Sequence, residues 1–240
     1  MKRRTYHNIG PNFSLHANGY DKLKPFGLAI HGCIDGWSRK ILWLYVTRSN
    51  NCPHNIATYY LDAIEKYGGC PVKLVTDLGT ENGIMASLQC FFRDDLGCHT
   101  YVPSPRNQRI EGWWSYFRRS RTTWWINFFK DLEEQGLYNQ AVEVESECLW
   151  FCFAALLQQD IDQVREHWNT HAIRRSRFDT IAGWPDSLYY LTESDGGASL
   201  KNQSIGGRVL HYIIHYSVMP GMVLKIYYEH FRKNYEHLDA

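Results

Sequence analysis

Excess charge of either sign is the first thing this sequence lacks. Its 240 residues carry 26 Lys and Arg against 25 Asp and Glu, a formal net charge of +1. No global positive field draws the chain to nucleic acid, so any such site must come from local clustering. Paired cysteines are missing too. The seven cysteines are an odd number, with no C-x-x-C pair and no zinc-finger spacing. With no signal-peptide pattern at its start, the sequence predicts reduced thiols in an intracellular compartment. A long uninterrupted apolar run is also absent. The most apolar tail stretch, "VLHYIIHYSVMPGMVLKIYY", is broken by two histidines, a proline and a lysine, which predicts no membrane span and no membrane partner. Repeats and low-complexity blocks do not occur. What remains is a globular composition, 44% hydrophobic and 21% charged, long enough to bury a substantial core.

The coarse pattern is β-β-β-α-β-α-β-α. "NFSLHAN" alternates apolar and polar residues and reads as a strand ending near Asn18, with Asn18-Gly19 in the turn that follows. "FGLAIHGCID" and "RKILWLYVT" are β-rich runs joined by the polar "GWS", a hairpin. "CPHNIATYYLDAIEKYGG" has Pro53 near its start, apolar residues every three to four positions and a Gly68-Gly69 stop, a helix. "PVKLVT" and "CHTYV" are further strands. Helical patterning runs from Asn107 to about Leu132, and again from Glu143 to Asn169. Antiparallel strands first, then strands reached through helices, predict an α/β domain with a mixed sheet flanked by helices. The expected organisation is an N-terminal arm at 1–11, a core at 12–190, and a Gly/Ser-rich linker with a tail at 191–240.

Two acids stand where an open α/β sheet gathers ligands, at the carboxyl end of a strand and the start of a helix. Asp77 follows "VKLVT" directly, and Glu111 lies near the start of the Asn107 helix. Paired carboxylates of this kind can hold two magnesium ions and drive phosphodiester chemistry. Each acid alone also has an ordinary structural role, an N-cap or Asx-turn for Asp77 and a first-turn partner of the helix dipole for Glu111.

The wider motif set decides between these roles. "IDGWSRKILWL", "TDLGTEN", "NQRIEGWWSYFRRSRTTWWINFF" and "HWNTHAIRRSR" resemble the integrase catalytic core of retroviruses and DDE transposons, of the RNase H-like superfamily. Transposon-derived integrase-core proteins of animal genomes are the nearest likeness, which runs from about Asn12 to Tyr190. The resemblance implies an RNase H-like mixed sheet, DNA integration by strand transfer, Mg²⁺ or Mn²⁺ as cofactor with no small-molecule cofactor, DNA as partner, nuclear localisation, and a homodimer or higher multimer.

It also implies three acidic positions. Asp77 matches the second, and Glu111 matches the third, 34 residues later. The first falls in "SLHANGYD", where relatives read His-x-Asp-Gly and this chain reads His16-Ala17-Asn18-Gly19. Asp77 and Glu111 become the expected metal ligands and Asn18 a degenerate catalytic position. An uncharged carboxamide cannot bridge two cations as a carboxylate does, so weakened metal binding and impaired chemistry are expected. The alternative is a catalytically inactive, domesticated nucleic-acid-binding module. Three routes could restore the missing acid: Asp21, just beyond the strand; Asp35, whose other role is to anchor the Ser38-Arg39 turn; or deamidation of Asn18 in a flexible Asn-Gly turn.

For DNA, a face carrying Glu111, Ser115, Arg118 and Thr122 on an unbroken helix would lie along the duplex, with Arg118, Arg119 and Arg121 meeting phosphates. Arg106, Asn107 and Arg109 would contribute from the entering loop, and Arg174 and Arg175 form a second basic cluster. A solvated basic face is the plainer reading. Trp113-Trp114 and Trp124-Trp125 could stack on bases, although at least one of each pair is expected in the core. His167 and His171, and His211 and His215, have i,i+4 spacing without a third ligand, so zinc is not expected. Cys148 and Cys152 share a helix face and are expected in core packing.

Overall fold

The computed structural model describes residues 8–174 and 181–191. Five strands form one sheet: β1 (Ser14–Tyr20), β2 (Ala29–Asp35), β3 (Ile41–Thr47), β4 (Lys73–Thr76) and β5 (His99–Tyr101), in the order β3-β2-β1-β4-β5. β1, β2 and β3 are antiparallel neighbours, whereas β4 joins β1, and β5 joins β4, in parallel. The parallel pairs follow crossovers through α1 (Pro53–Tyr67) and α2 (Gly83–Arg93), as such connections require. α1 has Pro53 in its first turn and stops at Gly68, whose φ of 75° is left-handed, so proline and glycine punctuate the helix as expected.

Alternation along β1 divides the core. Leu15 and Ala17 join the cluster formed with α1 and α2, while Tyr20 joins the cluster on the opposite face. That second cluster holds Ile110, Trp113, Trp114 and Phe117 of α3 (Gln108–Phe117), Trp125 and Phe129 of α4 (Thr123–Glu134), and Leu149, Leu157 and Ile161 of α5 (Glu143–Thr170). A short α6 (Pro185–Tyr190) sets Tyr189 into the first cluster. The sheet is thus covered on both faces.

Three local readings change. Asn18-Gly19 is not a turn: β1 continues to Tyr20, and the two residues pair with Gly32 and His31 of β2. The glycine answers to close approach, since a Cβ there would collide with the Asn50 side chain. The helix from Asn107 is not uniform either, because Arg118–Thr122 form a π-helical turn between α3 and α4. Lastly, Cys148 and Cys152 are exposed rather than packed in the core. α5 buries the face carrying Leu149, Leu157 and Ile161, and the two thiols lie off it.

α5 runs beside β3, the edge strand. The Asn169 carboxamide accepts from Ile41 N–H at 2.8 Å and donates to Ile41 C=O at 3.0 Å. Gln158 does the same one strand-length away, accepting from Val46 N–H at 2.8 Å and donating to Leu44 C=O at 3.0 Å. Each side chain imitates the peptide group of a neighbouring strand, so these backbone groups of the edge are satisfied.

Candidate active site

The even residues of β1 face α3. His16 Nδ1 is 2.8 Å from Asn107 Oδ1, and Asn107 Nδ2 donates to Ala17 C=O at 3.1 Å. Asn107 is 0% exposed, and these bonds make it a clamp between β1 and the start of α3. One turn further on, that clamp delivers Glu111 to Asn18. The Asn18 amide, 5% exposed, donates to Glu111 Oε1 at 2.8 Å. Ser104, in the loop entering α3, donates its hydroxyl to the same oxygen at 2.7 Å.

Asn18 and Glu111 open into a pocket of about 320 Å³ that Asp77 also lines. The fold therefore brings together all three positions singled out from the motifs. Asp77 sits at the carboxyl end of β4, where Asn82 Nδ2 donates to its Oδ1 at 2.8 Å. Burial raises the Asp77 carboxyl above its ordinary range, opposed by hydrogen bonds from the Gly79 backbone and Asn82. Two further acids line the pocket, Asp21 and Glu81. Burial raises the Glu81 carboxyl, and the nearby Asp77 and Asp21 charges push the same way. Asp21 accepts from Asn50 Nδ2 at 2.7 Å. Asp35 is elsewhere, wholly buried: its Oδ2 accepts from Ser38 N–H at 2.7 Å and Ser38 Oγ–H at 2.8 Å, anchoring the hairpin turn.

Sequence reasoning passed over Glu81, although it stands inside the quoted "TDLGTEN". The signal was Gly79 two residues earlier, where a Cβ would collide with the Glu81 carboxylate folded back over it.

The basic residues separate. Arg118 lines the pocket, and Arg106, Arg119 and Arg174 are exposed. Arg109 is half-buried. Its charge adds to burial in depressing His16 to about 4 and Arg39 to about 10. Arg121 is committed: its guanidinium donates to both Asp160 oxygens at 2.7 Å and lies 5.6 Å from the Trp124 ring centre. Arg175, like His211 and His215, lies outside the described residues. Thr122 does not share the Glu111 face. The π-turn's wider i→i+5 spacing rotates it inward, where it is 0% exposed and 2.8 Å from the Tyr20 hydroxyl. Trp113 and Trp114 are both core residues, so neither can stack on a base. Trp124 is 53% exposed while Trp125 is buried.

A sheet in this order, with two acids and an amide converging at the ends of β1, β4 and α3, can be set against known families. The family described as "Integrase core domain" matches residues 5–191. The chain belongs to the integrase core family. No curated protein matches it. Its mixed sheet is the RNase H-like fold of that family, and integrase cores in general bind DNA and use divalent metals.

The residues of this integrase core do not fit a two-ion centre. Its Asn18 presents an N–H to Glu111 where the family's first acid would share an ion with that residue. Turned over, the carboxamide would offer a cation beside Glu111 one neutral oxygen in place of a charged carboxylate, and it could not bridge two ions. Among the described residues no cluster of three or more His, Cys, Asp or Glu side chains could hold a metal.

Proposed function

We propose that this chain is an integrase-type DNA-processing core that binds DNA and, in its natural form, carries out neither strand transfer nor 3′-end processing. The observation that carries this reading is the 2.8 Å hydrogen bond from Asn18 to Glu111. Strand transfer on this fold calls for carboxylates that hold two cations on the attacking and leaving oxygens. Here one of those carboxylates is tied to a neutral amide and to the Ser104 hydroxyl.

Support for DNA binding comes from Arg118 at the pocket and from the exposed Arg106 and Arg119. These supply phosphate contacts of the kind that position a duplex without reading its sequence. Asn107 is buried, and Arg121 is paired with Asp160 while 47% of its side chain stays exposed.

Nicking and strand-transfer assays with Mg²⁺ and Mn²⁺ test the reading. The natural chain is expected to be inactive. Asn18→Asp is expected to gain activity, and Glu111→Gln in that background to lose it. Activity in the natural chain that Glu111→Gln abolishes would overturn the proposal. DNA affinity should fall steeply with salt, and Arg118→Ala should reduce the log–log slope by about one. A flat salt dependence would sink the DNA-binding half.

A further inference from the structure

The first half of α5 is apolar all the way round, since Cys148 to Leu157 form an unbroken hydrophobic run. A helix of that kind belongs inside a core. This one buries a single stripe: Leu149 and Leu157 go inward, and Phe153 packs against the same cluster. The stripe on the other side, Val144, Cys148, Phe151 and Ala155 at spacings of four, three and four, is exposed. Phe151 is 87% exposed, more than any other large apolar side chain among the described residues. Together these residues line an open groove of about 790 Å³. Exposed apolar surface gathered in one place marks an interaction site.

The setting of the groove is acidic. Residues 131–147 carry six Asp or Glu and no Lys or Arg, and Glu143 and Glu147 of that stretch line the groove itself. Arg48, which also lines it, is already paired with Glu147 and lies 4.7 Å from the Trp150 ring centre. An apolar stripe one helix wide, edged by carboxylates, fits a helix with apolar residues on one face and Lys or Arg beside them. The same charges turn away other occupants. DNA phosphates are repelled, and a second copy presenting this face brings the same acids rather than their complement. We infer that the outer face of α5 is a docking site for a basic amphipathic helix of another protein, with Phe151 as the central contact and Glu143 and Glu147 facing its cations. No residue of the groove lines the pocket beside Asn18, so the site is separate from the DNA-processing one and does not depend on that reading.

Titration of the full chain with a synthetic helix of about 18 residues, Leu on one face and Lys on the other, tests the inference. Such a peptide is long enough to cover the distance from Val144 to Ala155, about 17 Å at the helical rise. Fluorescence anisotropy of the labelled peptide should show saturable one-to-one binding. Phe151→Ser should weaken it at least about tenfold, and Glu143→Lys combined with Glu147→Lys by a similar factor. A Leu/Glu peptide of equal length should bind at least about tenfold more weakly than the Leu/Lys one. Bound peptide should also slow alkylation of the exposed Cys148 and Cys152 by iodoacetamide, which locates it on this face through natural side chains. Phe151→Ser alters an exposed position, so its melting temperature should stay within a few degrees of the natural chain's while binding is lost. Absence of saturable binding would overturn the proposal, as would binding that ignores these substitutions or equal affinity for the Leu/Glu peptide. So would self-association that Phe151→Ser abolishes, which makes a second copy the occupant. Resistance of Cys148 and Cys152 to alkylation in the chain alone would overturn it too, because the face would already be covered.

Discussion

Replacing Asn18 by Asp returns the family's first acid, and the structure says what that should cost when no cation is present. The amide–carboxylate bond at 2.8 Å is lost. A hydrogen bond to a charged acceptor contributes roughly 1.5–3 kcal/mol. In its place two carboxylates meet at a site where position 18 is 5% exposed. Unit charges about 4 Å apart repel by about 4 kcal/mol at an effective dielectric constant near 20. Proton uptake by the introduced carboxyl limits the total, so a loss of roughly 3–5 kcal/mol at pH 7.5 is expected for Asn18→Asp in EDTA. In a chain of this size that lowers the melting temperature by about 6–20 °C. The pH dependence carries the sign. Repulsion raises the introduced carboxyl in the folded state above its unfolded value near 3.9. The penalty is then complete above the folded pKa and shrinks as pH falls toward the unfolded one. The gap between Asn18→Asp and the natural chain, measured at each pH by differential scanning calorimetry, should narrow from pH 7.5 to pH 5. Adding Glu111→Gln to Asn18→Asp should recover most of the loss, because an amide again faces a carboxylate. A variant as stable as the natural chain at pH 7.5, or a gap that ignores pH, would refute the reasoning.

Two buried histidines set the acid limit. Burial is the largest cause depressing His16 to about 4 and His31 to about 3. The unfolded chain therefore binds more protons than the folded one below about pH 6.5. Stability present above that pH should decline toward pH 4, and His16→Gln should flatten the slope; an unchanged slope would remove His16 from the account. At the π-turn, the Tyr20 hydroxyl lies 2.8 Å from Thr122 Oγ1 in a buried setting. Tyr20→Phe and Thr122→Val should each cost about 1 kcal/mol. Together they should cost less than their sum, and strict additivity in chemical denaturation would show that the hydroxyls do not depend on each other.

The strands, the order of elements and the three converging positions were legible because each rests on residues close in sequence or on a distinctive motif. β1 announced itself by alternation, and Asn18 could be singled out because the family resemblance sets its His-x-Asp-Gly against His16-Ala17-Asn18-Gly19. Other features depend on partners far along the chain. Gly19 looked like a turn glycine, and only the approach of Asn50, 31 residues on, shows why it is there. Asn107 reads as a polar loop residue until His16, 91 positions away, claims it. Thr122 was misplaced by a single assumption, that the rotation per residue stays constant through Arg118–Thr122. Glu81 lay within a motif quoted for its neighbours. Its importance is an accident of folding back over Gly79, which spacing cannot display. Cys148 and Cys152 were assigned to the core by periodicity, which reports that two residues share a face but not which way the face looks.

The two carboxamides that answer β3 give α5 a second identity. To the edge strand, Asn169 and Gln158 make the helix equivalent to a sixth strand, one that cannot itself be extended. A net charge of +1 offers little mutual repulsion between molecules, so charge does little to protect this edge from pairing. At the opposite border, β5 is only three residues long and offers a poor template. Any event that detaches α5, whether proteolysis ahead of Glu143 or a mutation at either carboxamide, therefore uncovers a seven-residue strand whose freed N–H and C=O groups can template pairing with another chain.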